Sequence, residues 1–222
     1  MAERDLHSDS VLVIGLGRFG ASVAESLASL GHDVLAIERD PELVRKWAPV
    51  LTHVVEADAT QPESLSQLGA EEFPIAVVGI GSSIEASVLS TANLVDMGCK
   101  QIWAKAISME HGRILERIGA HHAVFPEYDM GEKVAHLVSG RLMDYMSFED
   151  GYAIVKMRPP LETQGFTLAE SQVRKKYGVT VVGIKSPGED FEYASSDTRI
   201  TGHDVLIVSG DNELIERFAA RP

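Results

Sequence analysis

The chain has 222 residues, 45% of them hydrophobic and 24% charged, a balance typical of a folded globular protein. Domains usually contain about 100–200 residues, so the length allows one large domain or two small ones. The 33 acidic residues outnumber the 20 basic ones and give a formal charge of −13. This charge argues against nucleic acid as a partner, because that binding depends on cations that neutralise phosphates.

Targeting and redox features are few. Cys99 is the single cysteine, which excludes an intrachain disulfide and a cysteine-based zinc cluster. No apolar run approaches the roughly 20 residues that a membrane-spanning helix needs. Residues 1–10 are polar and show no signal-peptide pattern. We therefore expect a cytoplasmic protein that reaches a membrane only through a partner.

Apolar runs alternate with helical patterns as far as residue 125. The run Ser10–Ile14 predicts a strand that is buried on both faces. Five further strands are predicted at 33–38, 52–56, 74–79, 101–105 and 123–125. The helices between them are predicted at 19–30, 41–47, 63–68, 85–97 and 109–118. Strands joined by helices in this order predict a doubly wound, parallel, Rossmann-like α/β sheet.

The pattern changes near residue 126, and residues 127–146 predict one long helix that crosses between two halves of the chain. Beyond it, strands are predicted at 152–157, 180–185 and 204–209. The predicted organisation is a Rossmann-like domain over 1–126, a crossover helix and linker over 127–147, and a smaller α+β domain over 148–222. A domain of about 75 residues is near the lower limit for an independent core, so we expect dimerisation to complete it.

A glycine-rich loop follows the first strand and opens the first helix. It has the sequence Gly15-Leu16-Gly17-Arg18-Phe19-Gly20, which is a G-x-G-x-x-G pattern in the context that a nucleotide-binding loop requires. The first glycine permits the tight turn, Gly17 lets the backbone approach phosphates, and Gly20 lets helix and strand pack closely. The free N–H groups and the positive end of the helix favour an anion.

Acidic residues follow the second and third strands. Glu38 ends the second strand 18 positions after Gly20, where a ribose-binding carboxylate belongs. It disfavours a 2′-phosphorylated ribose, although the neighbouring Arg39 softens that repulsion. Asp58 follows the third strand and either accepts from an adenine amino group or serves as a turn or N-cap residue.

Two further features belong to the same predicted site. Gly79 begins a second close-approach loop, Gly79-Ile80-Gly81-Ser82, at the carboxyl edge of the sheet. Arg18 lies among the glycines, where an ordinary dinucleotide loop needs no cation. It is either a solvent-facing helix-start residue or a contact for additional negative charge such as a terminal phosphate, across a dimer interface if the site is shared.

Several segments together resemble the cytosolic regulatory subunits of Ktr/Trk-type potassium uptake systems, also called KTN or RCK proteins. The resemblance rests on Val13–Gly20, Gly31–Val34, Asp58-Ala59-Thr60, Ile102–Ala106 and Pro126-Glu127-Tyr128-Asp129-Met130-Gly131, with a further match at Val173–Gly178. It covers essentially the whole chain.

The resemblance implies a nucleotide-sensing gate that is not an enzyme. It implies ATP or ADP, or in many members NAD or NADH, in the N-terminal domain, with ATP activating and ADP inactivating. It also implies dimers that assemble into an octameric ring beneath a membrane-embedded potassium-translocating subunit. The matched segments place Phe19, Ala59 and Lys105 among the nucleotide-contacting residues.

Three residue roles follow from the resemblance alone. Arg18 contacts the terminal phosphate of ATP bound in the neighbouring subunit. Glu127 helps to hold a divalent cation, Mg²⁺ or Ca²⁺, beside that phosphate. Arg174 contributes to a cyclic di-AMP site in the C-terminal domain, although the residues that flank it match loosely.

The competing interpretation is an NAD-dependent dehydrogenase or an NAD(H)-binding redox sensor. A dehydrogenase needs a proton donor near the nicotinamide, and His111, His121 and His122 are the candidates along with Lys105. Helix-end or surface positions explain these histidines better, and the second domain is too small for an ordinary substrate domain. The sequence therefore favours the gating subunit.

Overall fold

A computed structural model of the protein describes residues 10–148 and 150–221. The sequence-based prediction for residues 1–9 lies outside the described residues. The chain divides into two compact units, with the division between Glu127 and Tyr128. Within the described ranges, no helix is both long enough and apolar enough to cross a membrane.

The first unit is built on a six-stranded sheet with helices between its strands. The strands are β1 (Ser10–Ile14), β2 (Asp33–Glu38), β3 (His53–Glu56), β4 (Ile75–Val78), β5 (Gln101–Lys105) and β6 (His122–Val124). The helices are α1 (Arg18–Ser29), α2 (Pro41–Trp47), α3 (Pro62–Gln67), α4 (Ile84–Asp96) and α5 (Met109–Ile118), with a 3₁₀ turn at Ala70–Glu72. Every predicted bound in this region is within one residue of the observed bound.

All neighbouring strands of this sheet are parallel, and their order is β3-β2-β1-β4-β5-β6. The sheet buries an apolar cluster on each face, one containing Leu12 and Ile14 and the other containing Val11 and Val13. This two-sided burial explains why β1 is apolar at nearly every position. The predicted Rossmann-like parallel sheet is confirmed.

The second unit is built on a smaller, antiparallel sheet. Helix α6 (Pro126–Val138) leads into it from the first unit. The strands are β7 (Leu142–Ser147), β8 (Tyr152–Met157), β9 (Thr180–Lys185), β10 (Glu192–Tyr193) and β11 (Val205–Asp211), in the order β10-β9-β11-β8-β7. The helices are α7 (Leu168–Ser171), α8 (Val173–Tyr177) and α9 (Asn212–Ala219), with a 3₁₀ turn at Leu161–Thr163. The predicted α+β class of this region is confirmed.

The predicted long helix over 127–146 is wrong in its second half. Helix α6 ends at Val138, Gly140 adopts a left-handed φ of +71°, and the chain continues as β7. The buried residues of β7, Leu142 and Tyr145, are three positions apart because the register with β8 shifts between Leu142 and Asp144. This β-bulge gives a strand the spacing of a helix.

Candidate functional site

A cleft of about 760 Å³ opens at the carboxyl edge of the parallel sheet, where the strand order reverses between β1 and β4. Such a reversal is where open α/β sheets bind their ligands. The cleft is lined by eleven of the thirteen predicted site residues: Gly15, Gly17, Arg18, Phe19, Glu38, Arg39, Asp58, Ala59, Gly79, Lys105 and Glu127. The two that do not line it are Gly20 and Arg174.

The three glycines of the loop serve different purposes. Gly15 has a left-handed φ of +88° and so makes the turn out of β1. A Cβ at Gly20 would overlap the carbonyl oxygen of Gly15 and lie 3.7 Å from the Cα of Gly79, so Gly20 permits close packing below the cleft. A Cβ at Gly17 would meet nothing within 4 Å. Gly17 therefore keeps open space on the ligand side.

Helix α1 points its N-terminus into the cleft. Its N-cap is Gly17, which supplies no side-chain hydrogen bond, and the first turn has no acidic residue. The backbone N–H groups of the first turn are thus left without a side-chain acceptor, and the helix dipole adds partial positive charge there. This arrangement suits a phosphate.

Glu38 is fixed by backbone N–H groups at the centre of the cleft. Its Oε2 accepts from the N–H of Leu16 at 2.6 Å, and its Oε1 accepts from those of Arg39 and Asp40 at 2.8 and 2.9 Å. The carboxylate therefore links the end of β2 to the glycine loop. The ribose contact predicted for Glu38 stays a prediction.

Asp58 makes a tight turn after β3. Its Oδ1 accepts from the backbone N–H of Thr60 at 3.0 Å and from the Thr60 hydroxyl at 2.8 Å. These two hydrogen bonds hold the pKa of the Asp58 carboxyl below its usual value, so the group is a carboxylate at neutral pH. Of the two roles that the sequence left open, the turn role is present, and the adenine contact stays a prediction.

Lys105 and Glu127 form an ion pair at one end of the cleft. The Nζ of Lys105 donates to Oε1 of Glu127 at 2.6 Å and lies 5.9 Å from the centre of the Phe19 ring. Lys105 is buried, with 8% of its surface exposed, whereas 61% of the Glu127 side chain is exposed. The hydrogen bond from Lys105 lowers the pKa of Glu127, and Arg18 adds a smaller electrostatic effect in the same direction.

Two further cations line the cleft, and both are exposed. Within the part of the chain that the structure describes, the guanidinium groups of Arg18 and Arg39 make no hydrogen bond or ion pair. Together with Lys105 and the start of α1, they offer hydrogen-bond donors and positive charge in a cleft that is also lined by four carboxylates, those of Glu38, Asp40, Asp58 and Glu127. The donors therefore suit the phosphates of a ligand, and the carboxylates suit groups that donate hydrogen bonds, such as hydroxyl and amino groups.

The described residues offer little for a metal ion on their own. Among residues 10–148 and 150–221 no group of three histidine, cysteine, aspartate or glutamate side chains is placed to hold one. Glu127 supplies one carboxylate at the cleft. That donor set fits an ion held mainly by phosphate oxygens and water, as Mg²⁺ often is, and does not fit an all-protein site.

The remaining candidates lie outside the cleft. Arg174, on α8 in the second unit, donates from Nε to the Thr180 hydroxyl at 3.0 Å. His121 accepts from the backbone N–H of Ile102, and His122 stacks on Trp103 with ring centres 3.8 Å apart. His111 is buried, which lowers its pKa. None of the three histidines lines the cleft.

Sequence reasoning missed the contribution of α4. The helix lines the cleft with Ala86 and Ser90, and Asn93 on its next turn donates to the carbonyl oxygen of Ala59 at 3.0 Å. No motif marks these positions, because small and polar side chains in a helix have no distinctive spacing. The loop before the helix, from Gly79, was the available signal.

Comparison with known proteins gives a consistent result over the whole chain. The TrkA-N domain matches residues 11–126 and the TrkA-C domain matches residues 165–221. The Ktr system potassium uptake protein A of Bacillus subtilis (strain 168) is 37% identical over 207 residues, covering 93% of each chain. Protein C of the same system and organism is 36% identical over 210 residues, covering 94% of this chain and 95% of that protein.

Solved structures agree on the fold. A GsuK RCK domain has a TM-score of 0.66 at 16% identity, covering 96% of this chain and 48% of its own. The GsuK channel bound to NAD has a TM-score of 0.55 at 23% identity over 98% of this chain and 38% of its own. GsuK bound to ADP has a TM-score of 0.52 at 22% identity over 62% of this chain and 35% of its own. The chain thus spans less than half of these longer proteins.

The two domain matches fall on the two compact units, and the two Bacillus relatives align over nearly their full length. Such matches share more than the Rossmann-like sheet, because they include the second unit as well. The chain belongs to the family of Ktr/Trk potassium uptake proteins that combine a TrkA-N with a TrkA-C domain.

Proposed function

We propose that this chain is the cytoplasmic regulatory subunit of a membrane potassium uptake system and that it gates the system according to the nucleotide it binds. ATP favours the active state and ADP the inactive state. The proposal assigns no chemical turnover to the protein. The relatives named for potassium uptake support the biological setting, and the cleft supports the ligand class.

The observation that carries the proposal is the charge arrangement of the cleft. Backbone N–H groups at the start of α1 and three cations, Arg18, Arg39 and Lys105, share the cleft with four carboxylates, among them that of Glu38. A nucleoside di- or triphosphate presents a ribose for that carboxylate and several negative charges for the cations. A ligand without phosphate would leave the N–H groups of α1 and the guanidinium of Arg18 without an anionic partner.

The difference between ATP and ADP needs contacts that only one of them makes, because a ligand shifts an equilibrium only by binding two states unequally. We assign this contact to Arg18, whose exposed guanidinium has no hydrogen-bonded partner in the described chain. In the assembled protein it reaches the terminal phosphate of ATP in a neighbouring subunit. ADP lacks that phosphate and leaves the contact unmade.

The Lys105–Glu127 pair connects the ligand to the second unit. Glu127 lies in the first turn of α6, and this helix continues across the division between the units. A phosphate near Lys105 competes with Glu127 for the ammonium group. When Mg²⁺ or Ca²⁺ is bound with ATP, Glu127 supplies a carboxylate to the ion while Lys105 turns to the phosphate, so the start of α6 responds to the ligand.

NAD or NADH is the alternative ligand for the same cleft. GsuK, which shares the fold, has been solved with NAD and with ADP. Glu38 suits the unphosphorylated ribose of either ligand. A dinucleotide, however, has no terminal phosphate for Arg18, so we assign gating to the adenosine phosphates.

The remaining parts of the proposal concern assembly. Dimers of the chain form an octameric ring on the cytoplasmic side of a membrane-embedded potassium-translocating subunit. The second unit completes its core by dimerisation and takes cyclic di-AMP near Arg174. That arginine is presented by α8, in a run with Lys175 and Lys176.

The test is potassium flux in vesicles that contain the membrane subunit and the purified chain. Wild-type protein should give faster uptake with ATP than with ADP. A chain with Gly17→Val, which fills the space beside the phosphates, should give the same rate with either nucleotide. Wild-type flux that is indifferent to both nucleotides would contradict the proposal, and ligand-dependent flux with NADH alone would favour the alternative ligand.

A further inference from the structure

Helix α4 carries a buried hydroxyl that the proposed function does not yet use. Ser90 is 0% exposed and lines the cleft, and its Oγ has no hydrogen-bond partner among the described residues. Hydroxyls in helices usually satisfy themselves by bonding the carbonyl one turn back, as Thr91 does to Ser87 at 2.8 Å. A buried hydroxyl without such a bond is unfavourable, and at the wall of a cleft a ligand can supply the partner.

The position of Ser90 along the helix assigns it to one end of the cleft. Asn93, three residues later, is bonded to the carbonyl of Ala59, so this face of α4 is fastened to the loop that follows β3. The N-terminal end of α4 instead begins at the Gly79 loop, beside the phosphate end. Ser90 therefore faces the part of the cleft that adjoins Asp58, beyond the ribose position at Glu38.

Asp58 fixes the hydrogen-bonding character of that end. Both of its bonds to Thr60 use Oδ1, which leaves Oδ2 without a hydrogen-bonded partner in the described ranges. As a carboxylate it can only accept. The Ser90 hydroxyl, which lines the same cleft, can donate, so the two residues offer one acceptor and one donor to a ligand.

Adenine matches this pair, since its 6-amino group donates while its ring nitrogens accept. Hypoxanthine and guanine carry an oxygen at position 6, which would meet the Asp58 carboxylate as acceptor against acceptor. We propose that Ser90 is a specificity-determining residue that donates a hydrogen bond to a ring nitrogen of bound adenine, next to the 6-amino contact of Asp58. The inference rests on the proposed nucleotide site and names how its base is chosen.

Ser87 provides a matched control on the same helix. It is also 0% exposed and its Oγ also has no hydrogen-bond partner in the described chain, yet it does not line the cleft. Ser87→Ala and Ser90→Ala remove the same atom from the same kind of burial. Any general effect on folding appears in both variants, and an effect on ligand appears only in Ser90→Ala.

The experiment measures ADP affinity by titration calorimetry for wild type, Ser90→Ala and Ser87→Ala. Loss of one neutral hydrogen bond should weaken ADP binding about tenfold in Ser90→Ala and leave it unchanged in Ser87→Ala. Wild type should prefer ADP to inosine diphosphate, and Ser90→Ala should keep part of that preference through Asp58. Equal ADP affinity in all three proteins would overturn the proposal.

Three ADP analogues identify the acceptor, each with one ring nitrogen, N1, N3 or N7, replaced by carbon. The analogue that lacks the accepting nitrogen should bind wild type and Ser90→Ala equally well, because it cannot form the hydrogen bond with either protein. The comparison is a double-mutant cycle between ligand and protein. If the affinity of all three analogues falls by the same factor in Ser90→Ala, the hydroxyl contacts something other than a ring nitrogen and the proposal is wrong. If wild type binds no ADP at all, the proposed function itself has failed.

Discussion

The two units of the chain arrange their sheets differently, and the cleft described above belongs to the unit with the parallel sheet. In the first unit all strands are parallel, so the loops after β1, β2, β3 and β4 leave at one edge, where they meet. In the second unit neighbouring strands are antiparallel, so strands that lie side by side in the sheet end at opposite edges. Topology, more than any single motif, gathers at one place the residues that we propose to contact phosphate, ribose and base.

The two sheets also differ in how many of their faces are buried. The parallel sheet is covered on both faces by separate apolar clusters. The antiparallel sheet buries one face, as the alternating burial of β8 and β11 shows, and large side chains such as Tyr193, 84% exposed, remain outside. Close backbone packing should therefore matter more in the first unit.

Gly17→Val should give the largest effect, and it should reduce nucleotide binding without reducing stability. A side chain there points into open space beside α1, so it occupies the phosphate position without disturbing the fold. We expect nucleotide affinity to fall by more than about a hundredfold, since the phosphates supply much of the binding free energy. Calorimetry measures the affinity and a thermal melt without ligand checks the fold. Undiminished affinity in a folded variant would remove this loop from the site.

Gly20→Ala should instead act on stability, and more than a comparable change in the second unit. Its Cβ would overlap the Gly15 carbonyl, and because backbone cannot yield easily we expect a loss of roughly 3 kcal/mol in the free energy of unfolding. Gly183→Ala would collide mainly with the end of the half-exposed Phe191 ring and with the two-residue strand β10, which can shift.

The expected loss for Gly183→Ala is about 1 kcal/mol. Urea unfolding followed by circular dichroism measures both variants. Fluorescence isolates the first unit, because both tryptophans, Trp47 and Trp103, belong to it. Equal losses in the two variants would contradict the contrast in packing.

Arg18→Ala should narrow the difference between ATP and ADP. Loss of a charge-assisted contact to the terminal phosphate should weaken ATP binding by about 1.5–3 kcal/mol and leave ADP binding nearly unchanged. Arg39→Ala is the matched control, because Arg39 also lines the cleft but follows Glu38 at the ribose side. Arg39→Ala should weaken the binding of ATP and ADP by the same factor. If Arg18→Ala also weakens both equally, Arg18 does not distinguish the terminal phosphate.

Glu127→Gln should remove the enhancement of ATP binding by Mg²⁺ and should not weaken binding without the ion, since Glu127 then no longer competes with phosphate for Lys105. The amide keeps the shape but loses the charge that a hard cation requires. Glu85→Gln, in the first turn of α4 and outside the cleft, is the control for a first-turn carboxylate. Either change should alter stability by no more than about 1 kcal/mol. If ATP binding by Glu127→Gln still depends on Mg²⁺, Glu127 does not hold the ion and its role is the ion pair with Lys105.

Gln172→Gly should give the smallest effect, and it lies in the second unit. Gln172 is exposed and has a left-handed φ of 51° between α7 and α8. Glycine adopts that conformation without strain, so the free energy of unfolding should rise by roughly 0.5–1 kcal/mol. Gln172→Ala should bring no gain, and chemical denaturation compares the two. A loss of stability in the glycine variant would mean that the glutamine side chain makes an important contact.

The first unit was predictable from sequence to within one residue at each strand and helix. Strands buried on both faces are continuous apolar runs, such as Val11–Ile14, and glycines such as Gly31 and Gly98 end the helices. Gly140 gave the same stop signal after α6. The helix was nevertheless predicted to continue past Gly140, because Leu142 and Tyr145 have an apparent helical spacing that the bulge in β7 produces.

The site was predictable where backbone geometry requires a particular residue, as at Gly15 and Gly20. It was not predictable where a role depends on a distant partner. The pairing of Lys105 with Glu127 and the carboxylate of Glu38 on the Leu16 N–H join residues 22 positions apart. The lining of the cleft by Ser90 depends on which face of α4 packs on the sheet, and an ordinary serine gives no sign of that.

The most direct test of the account is a calorimetric titration of the full chain with ATP, ADP and NADH, combined with an assay for nucleotide turnover. The account predicts one adenosine phosphate bound per chain, competition between ATP and ADP for the same cleft, and no consumption of either. Absence of ATP and ADP binding, or turnover of NAD with a small substrate, would contradict the claim that this cleft is a nucleotide sensor.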